Sequence, residues 1–214
     1  MNNVKFNVKL ESGIVECIPF TLEDYTKFLF ARSSDNSDLI KTWMIDILKT
    51  NTSAKNLSKH ESEIVIVNLL AKSLNESDIL QEYVCECGNE FDVKIDVSKI
   101  FVNYNNKNID DLYSLKDFKL KLDWPKLFED DNVAQMIVNS IKQIYVGDDC
   151  IPIDELSEIE LNDLYSAINP EDMDNIKDIL LSPTIHLAAP VVCPDCGKSH
   201  VHMISKFKEF IRIL

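Results

Sequence analysis

Val4, Phe6, Val8 and Leu10 alternate with polar neighbours, the period of a strand with one buried face. After Ser12-Gly13 the apolar positions Ile14, Val15, Cys17 and Ile18 run back, which predicts a β-hairpin ending at Pro19-Phe20. Cys17, alone among apolar neighbours, reads as a small core residue. The period then changes from two to nearly four. Leu22, Tyr25, Phe28 and Leu29, widened by Phe30, fall on one face of a helix opened by Thr21 with Asp24 as its capping-box partner. A stripe of this kind is expected to be core rather than a cofactor box. After the polar break 33–37, a second helix carries Leu39, Ile40, Trp43, Met44, Ile47 and Leu48 on one face. Ser58 and Glu61 form another capping box, for a helix running to about Leu74. Its Ile64-Val65-Ile66-Val67 run reads as strand by itself, but the cap and Leu69-Leu70-Ala71 favour a helix buried on more than one side.

Farther along, Ile79–Cys85 and Phe91–Val97 predict two strands joined by a tight turn, followed by an Asn-rich loop over 103–111. Phe118, Leu120 and Leu122 alternate again, up to Trp124-Pro125. Val133, Met136, Ile137, Ile141, Ile144 and Tyr145 predict one helix stopped by Gly147, preceded by Glu129-Asp130-Asp131 where the helix dipole favours acid. Ile151-Pro152-Ile153 is a short extended piece. Helices over Ile159–Ile168 and Met173–Leu180 follow, the second entered through Asn169-Pro170. Ile185–Val192 and His200–Ile204 read as strands, and Phe207, Phe210, Ile211 and Leu214 as a terminal amphipathic helix. His60, in the first turn of its helix, is expected to be exposed, and His186 to be buried and satisfied. The N-terminal hairpin and the last helix, short and apolar, are the elements expected to dock to neighbours.

The candidate chemistry sits in two turns. Cys85-Glu86-Cys87-Gly88 and Cys193-Pro194-Asp195-Cys196-Gly197 each lie between strand-like runs, with a glycine just after the second cysteine. Glycine takes the positive φ that aims two thiolates at one point without strain. Four thiolates converging from two such turns make a closed tetrahedral zinc site, so Cys85, Cys87, Cys193 and Cys196 are the candidate metal ligands. The second turn is a strong zinc-knuckle signature; the first has one intervening residue where two are usual. A redox pair competes for the Cys-x-x-Cys, but that motif opens a helix, whereas here it caps a hairpin. A disulfide, or an empty reduced site, is a further alternative. His200 and His202 lie close enough to replace a cysteine, although exposed strand histidines are the simpler reading.

Composition narrows what this site can be for. The 214 residues carry 36 acidic against 22 basic side chains, a net charge of −14, and no basic stripe offsets it, which argues against nucleic acid. No apolar run approaches the roughly 18 residues of a membrane span. The opening Met1-Asn2-Asn3-Val4-Lys5 lacks the features of a signal peptide, so a reducing cytoplasm, where paired cysteines favour metal over disulfide, is expected. HExxH, GxSxG and P-loop motifs are absent, and four cysteines leave a zinc ion no open position. The expectation is no catalysis and no small-molecule substrate. The predicted fold class is α+β: an N-terminal β-hairpin, helical bundle segments, and a zinc-ribbon-like module made of two distant cysteine hairpins. Its predicted domains are 1–78, the hairpin with three helices, and 79–214, the module with inserted helices over 131–181 and a C-terminal helix.

The order of these motifs resembles a known family. Ile18-Pro19-Phe20-Thr21-Leu22-Glu23-Asp24-Tyr25 with helices after it, a cysteine turn followed by Val93-Lys94-Ile95-Asp96-Val97, and Trp124-Pro125 after another strand come in sequence. A helical stretch, a closing Cys-x-x-Cys-Gly hairpin and an aromatic-containing last helix complete the series. The whole chain thereby resembles the baseplate hub-assembly proteins of T-even-type tailed bacteriophages, departing from them at the Cys85-x-Cys87 spacing. The resemblance implies a structural or assembly role in a contractile tail baseplate, other baseplate and tail proteins as partners, and location in the virion tail or, during assembly, the host cytoplasm. The alternative is a cytoplasmic zinc-ribbon adaptor that binds a host or transcription protein.

Overall fold

The structure, a computed structural model, describes residues 5–34, 36–74, 78–109 and 112–213. Val4, Leu214 and the end of the Asn-rich loop lie outside the described residues. In chain order come strands β1 (Phe6–Lys9) and β2 (Ile14–Cys17), helices α1 (Leu22–Ser33), α2 (Ser37–Asn51) and α3 (Lys59–Ser73), and strands β3 (Asp78–Val84), β4 (Glu90–Asp96) and β5 (Phe101–Asn103). Strands β6 (Tyr113–Ser114) and β7 (Lys119–Leu122), helix α4 (Val133–Ser140), strands β8 (Ile141–Val146) and β9 (Asp149–Pro152), and helices α5 (Glu158–Ala167) and α6 (Pro170–Leu180) follow. Strands β10 (Thr184–Val192) and β11 (Ser199–Ser205) and helix α7 (Phe207–Ile213) close the chain. The architecture is α+β, as predicted. The contacts divide it into two compact units, residues 1–102 with 184–214, and residues 103–183. β10 packs on α3 and β4 packs on β10, and the segment between β5 and β10 forms the second unit.

The first unit is built around α3. Ser58 accepts the Glu61 N–H at 3.4 Å while the Glu61 carboxylate accepts the Ser58 N–H at 3.1 Å, so both halves of the expected capping box form. Val65, Ile66, Val67, Leu69, Leu70 and Ala71 are all fully buried. α3 is apolar all round because it is covered all round: α2, β10, α7 and the 3-10 turn Val97–Lys99 pack on its different sides. Each such Val, Ile or Leu contributes roughly 1.5–3 kcal/mol. The hairpin β1–β2 pairs Phe6 with Cys17 and Val8 with Val15, burying Val8, Val15 and Cys17 on one face. It is tied to the end of α2 by the Ile18 N–H donating to the Asn51 carbonyl at 2.8 Å, and by Asn51 Nδ2 donating back to the Ile18 carbonyl at 3.1 Å.

Three expectations change here. Tyr25 and Phe28 join an aromatic cluster with Phe20 and Trp43, the Phe28 and Trp43 rings 4.6 Å apart, but Leu22, Leu29 and Phe30 are exposed. Among the other elements, α1 packs chiefly on α2, which leaves these side chains in solvent, Phe30 at the edge of that contact. His60 is buried rather than exposed, its Nε2 3.2 Å from Ser58 Oγ, because the α3 N-terminus is itself covered. The last helix is used internally, with Phe210 fully buried and α7 packed on α3 and β11.

The second unit is a four-stranded antiparallel sheet, β6-β7-β8-β9, with α4, α5 and α6. Leu120, Leu122, Met136, Ile137, Ile141, Ile144, Leu164, Ile176 and Leu180 form its core. Asn169 caps α6 by accepting the Asp172 N–H at 3.0 Å, with Pro170 at the first helical position as expected. The predicted helix through Tyr145 ends instead at Ser140. Leu120 pairs with Ile144 and Lys121 with Gln143, but Leu122 pairs with Ile141, so a bulge inserts one extra residue into β8. Ile141 and Ile144 therefore face the core from a strand at a spacing of three, which imitates a helical period. The β-branched and aromatic content of Ile141–Val146 favours the strand.

Two outcomes are expected. Leu69→Ala destabilises the protein by about 2–5 kcal/mol in urea denaturation, whereas Leu22→Ala changes stability by no more than about 0.5 kcal/mol. Burial holds His60 below the ordinary histidine value, against the pull of Glu61 and Glu11. The unfolded chain then takes up the proton before the folded one, so stability present above about pH 6.5 is lost as pH falls toward the folded value. Thermal melts from about pH 7 to about pH 5 should show Tm falling, and His60→Gln should flatten that fall.

Candidate metal centre

The two cysteine turns are the tips of two antiparallel hairpins. In the first, β3 pairs with β4 from Gln81↔Val93 to Val84↔Glu90, and the Cys85 N–H donates to the Asn89 carbonyl at 2.9 Å. The Gly88 N–H then closes the turn onto the Cys85 carbonyl at 2.8 Å, with Gly88 at φ 90°. In the second, β10 pairs with β11 out to Val192↔Ser199, the Cys193 N–H donates to the Lys198 carbonyl at 3.0 Å, and the Gly197 N–H donates to the Cys193 carbonyl at 3.0 Å with Gly197 at φ 70°. Both glycines occupy the left-handed region that any other side chain enters at a cost. The shared backbone device explains why a one-residue and a two-residue spacing both present two thiols outward.

β4 packs against β10, and this contact brings the tips together. The Sγ atoms of Cys85, Cys87, Cys193 and Cys196 all lie within 4.8 Å of one another. Cys85 and Cys196 are 3.7 Å apart, and so are Cys87 and Cys193. A tetrahedron with metal–sulfur bonds of roughly 2.3 Å has edges of about 3.8 Å, so the spacing fits a four-thiolate metal site. All six cysteines are free, and a disulfide needs sulfurs about 2.05 Å apart. Cys85 and Cys193 are buried while Cys87 and Cys196 face solvent, which leaves an approach for an ion.

The thiols are electrostatically unequal. The Cys196 backbone N–H, helped by that of Asp195, lowers Cys193 to about 6 against the opposing effect of burial. The Asn89 backbone N–H acts to lower Cys87, but the Cys85 thiol, burial and the thiols of Cys196 and Cys193 outweigh it and push Cys87 up to about 12. Cys85 is likewise raised: a Cys87 backbone bond pulls it down, and burial with the Cys193 and Cys196 thiols overcomes this. Cys193 is thus poised to ionise, and a cation placed among the four sulfurs would favour the thiolate form.

Around the sulfurs stand groups that the spacing of cysteines does not reveal. His200 Nε2 is 3.4 Å from Cys85 Sγ, and Asn89 Nδ2 donates toward Cys193 Sγ at 3.8 Å. His202 points instead to Gln81 Oε1 at 3.1 Å, and the Tyr83 ring lies against both histidines. Both histidines are half-buried rather than exposed. Their positions four and six residues after Cys196, on the strand leaving the turn, were the sequence signal; Asn89, next to Gly88, gave none. Lys198 Nζ reaches Glu86 at 3.4 Å across the two tips, an exposed pair worth little by itself. His186 is satisfied on both ring nitrogens, by Thr184 Oγ1 at 2.8 Å and Ser205 Oγ at 2.9 Å, and takes no part in the cluster.

A family profile described as T4 bacteriophage base plate protein matches residues 1–212 of the chain. The chain belongs to this family. The baseplate hub assembly protein gp26 of Enterobacteria phage T4 is 38% identical to the chain over 214 residues, covering 100% of both. No solved structure matches the chain. The family inferred from motif order is therefore the one found, and the short Cys85-x-Cys87 spacing does not remove this base plate family member from it. Among the described residues, no helix is long and apolar enough to cross a membrane.

Proposed function

We propose that this protein assists assembly of the hub of a contractile phage tail baseplate, as a non-enzymatic protein stapled by zinc. The observation that carries the first part is the relative named as a baseplate hub assembly protein, which aligns end to end at 38% identity. The partners are other baseplate and tail proteins, met in the host cytoplasm during assembly and in the tail baseplate where the protein stays with it. Nucleic acid is not among them, since a net charge of −14 opposes a phosphate backbone.

The second part rests on the donor set. Cys85, Cys87, Cys193 and Cys196 offer four sulfurs at the edge length of a tetrahedral zinc site, and thiolates select zinc over the harder divalent cations. Zinc, when bound, would supply a cross-link and neutralise the thiolates. The hairpins do the rest: Gly88 and Gly197 aim the thiols, backbone N–H groups hold Cys193 as the anion, and His200 and Asn89 fix two sulfurs from outside. Joining Cys87 to Cys193 closes a loop of 106 positions, so the link stiffens the first unit around the point where the second is inserted. A stiff scaffold protein presents its docking faces at a lower entropy cost.

Elemental analysis of the purified chain should find one zinc per chain, absent from Cys193→Ser with Cys196→Ser. Chelation or that double variant should lower Tm by at least about 5 °C, at roughly 2–4 °C per kcal/mol for a chain of this size. Acidification should release the ion, because protons compete for the thiolates. A metal-free chain with an unchanged melt would refute the staple. For the assembly role, tagged protein recovered from infected cells should carry tail proteins in stoichiometric amounts. Recovery of a host regulator instead, with no tail protein, would favour an adaptor.

A further inference from the structure

The exposed side chains of α1 form one wall of a groove. Between α1 and α2 lies an open cleft of about 460 Å³. Ala31 and Trp43, both buried, make its floor, and Phe30, 68% exposed, and Leu39, 41% exposed, make its walls. Trp43 is fixed there by its indole N–H, which donates to the Asp24 carbonyl at 2.8 Å, and by the Phe28 ring beneath it. A rigid apolar floor between two protruding apolar walls is costly to leave wet, and monomeric proteins keep such surface small unless it binds something.

The shape and the charge both restrict the occupant. Both walls are helices whose backbone groups are bonded within the helix, so the cleft offers no edge for an added strand; a third helix laid along it is the fitting element. Lys27 lines the cleft, and beside it Glu23 meets its ammonium at 2.9 Å and Asp24 at 3.8 Å. Asp46 lines the cleft as well and, after Glu23 and Asp24, helps to raise the Lys27 ammonium above its ordinary value. Three carboxylates gathered around this one ammonium give that end of the cleft an acidic surplus, on a chain of net charge −14. A second copy of this chain would bring the same acidic charge to the contact, whereas a basic partner is attracted and steered.

We propose that the α1–α2 groove is a docking site for an amphipathic helix of a partner protein, with large apolar side chains on one face and Lys or Arg along its flanks. This deepens the assembly reading, on which it rests, by naming the surface that would recruit a tail protein and the chemistry of the segment recruited.

The test uses the full chain carrying Trp124→Phe, so that Trp43 fluorescence reports the groove. The probe is a synthetic amphipathic helix of Leu and Lys, with a Leu and Glu peptide of equal length as the control. The Leu/Lys peptide should bind with a change in Trp43 emission and the Leu/Glu peptide should not. Phe30→Ala with Leu39→Ala, and separately Glu23→Lys with Asp46→Lys, should each weaken binding about tenfold or more. Glu23 and Asp46 are both exposed, so that variant keeps its fold and decides the matter even where the apolar pair is unstable. Equal binding of both peptides, or unchanged affinity in the charge variant, would overturn the proposal. So would self-association of the wild-type chain that Phe30→Ala with Leu39→Ala abolishes, since a second copy would then be the occupant. Capture of tail proteins from infected cells by the groove variants as fully as by the wild type would overturn the groove and leave the assembly role standing.

Discussion

Cys87 and Cys193 are 106 positions apart in sequence and 3.7 Å apart in space, and the whole second unit lies in the loop between them. Closing a loop of that length in a flexible chain costs on the order of 4–5 kcal/mol of conformational entropy. The closure does not begin at the sulfurs. It is supported beneath them, where β10 packs on α3 and β4 packs on β10, so burial of α3 goes together with the two hairpin tips lying side by side. The four thiols then meet because the strands beneath them have already met. A metal link would reinforce this junction rather than create it.

That hierarchy accounts for the tolerance of the first turn. A zinc knuckle with two intervening residues and one with a single residue differ in local path. What the site needs is four sulfurs near the vertices of one tetrahedron. The hairpin registers fix where each turn starts, and Gly88 and Gly197 in the left-handed region fix how each closes. The second unit enters after β5 and leaves into β10, neighbouring strands of one sheet, so an insertion of its size disturbs the first unit little.

An assembly protein needs stiffness and exposed recognition surface together. The N-terminal hairpin and α7 both commit apolar residues to the protein's own core, Val8, Val15 and Phe210 among them. α1 does the reverse. Its Phe28 and Ala31 anchor it to the fold and its Phe30 is left in solvent, a division that follows from packing chiefly on one other helix.

Much of this was written locally. The capping boxes at Thr21 and Ser58, the Asn169-Pro170 entry, the strands beside each cysteine turn, the α+β class and the four cysteines were all legible, because each depends on residues within a few positions of one another. A third capping box, Ser157 with Glu160, follows the same rule. Tertiary structure decided the rest. A bulge made Ile141 and Ile144 imitate a helical period; burial of the α3 N-terminus hid His60; and the face of α1 that meets α2 exposed Phe30. In each case the outcome depends on what lies across from a residue. A periodicity records that a side is apolar, but not which neighbour covers it, nor whether one does.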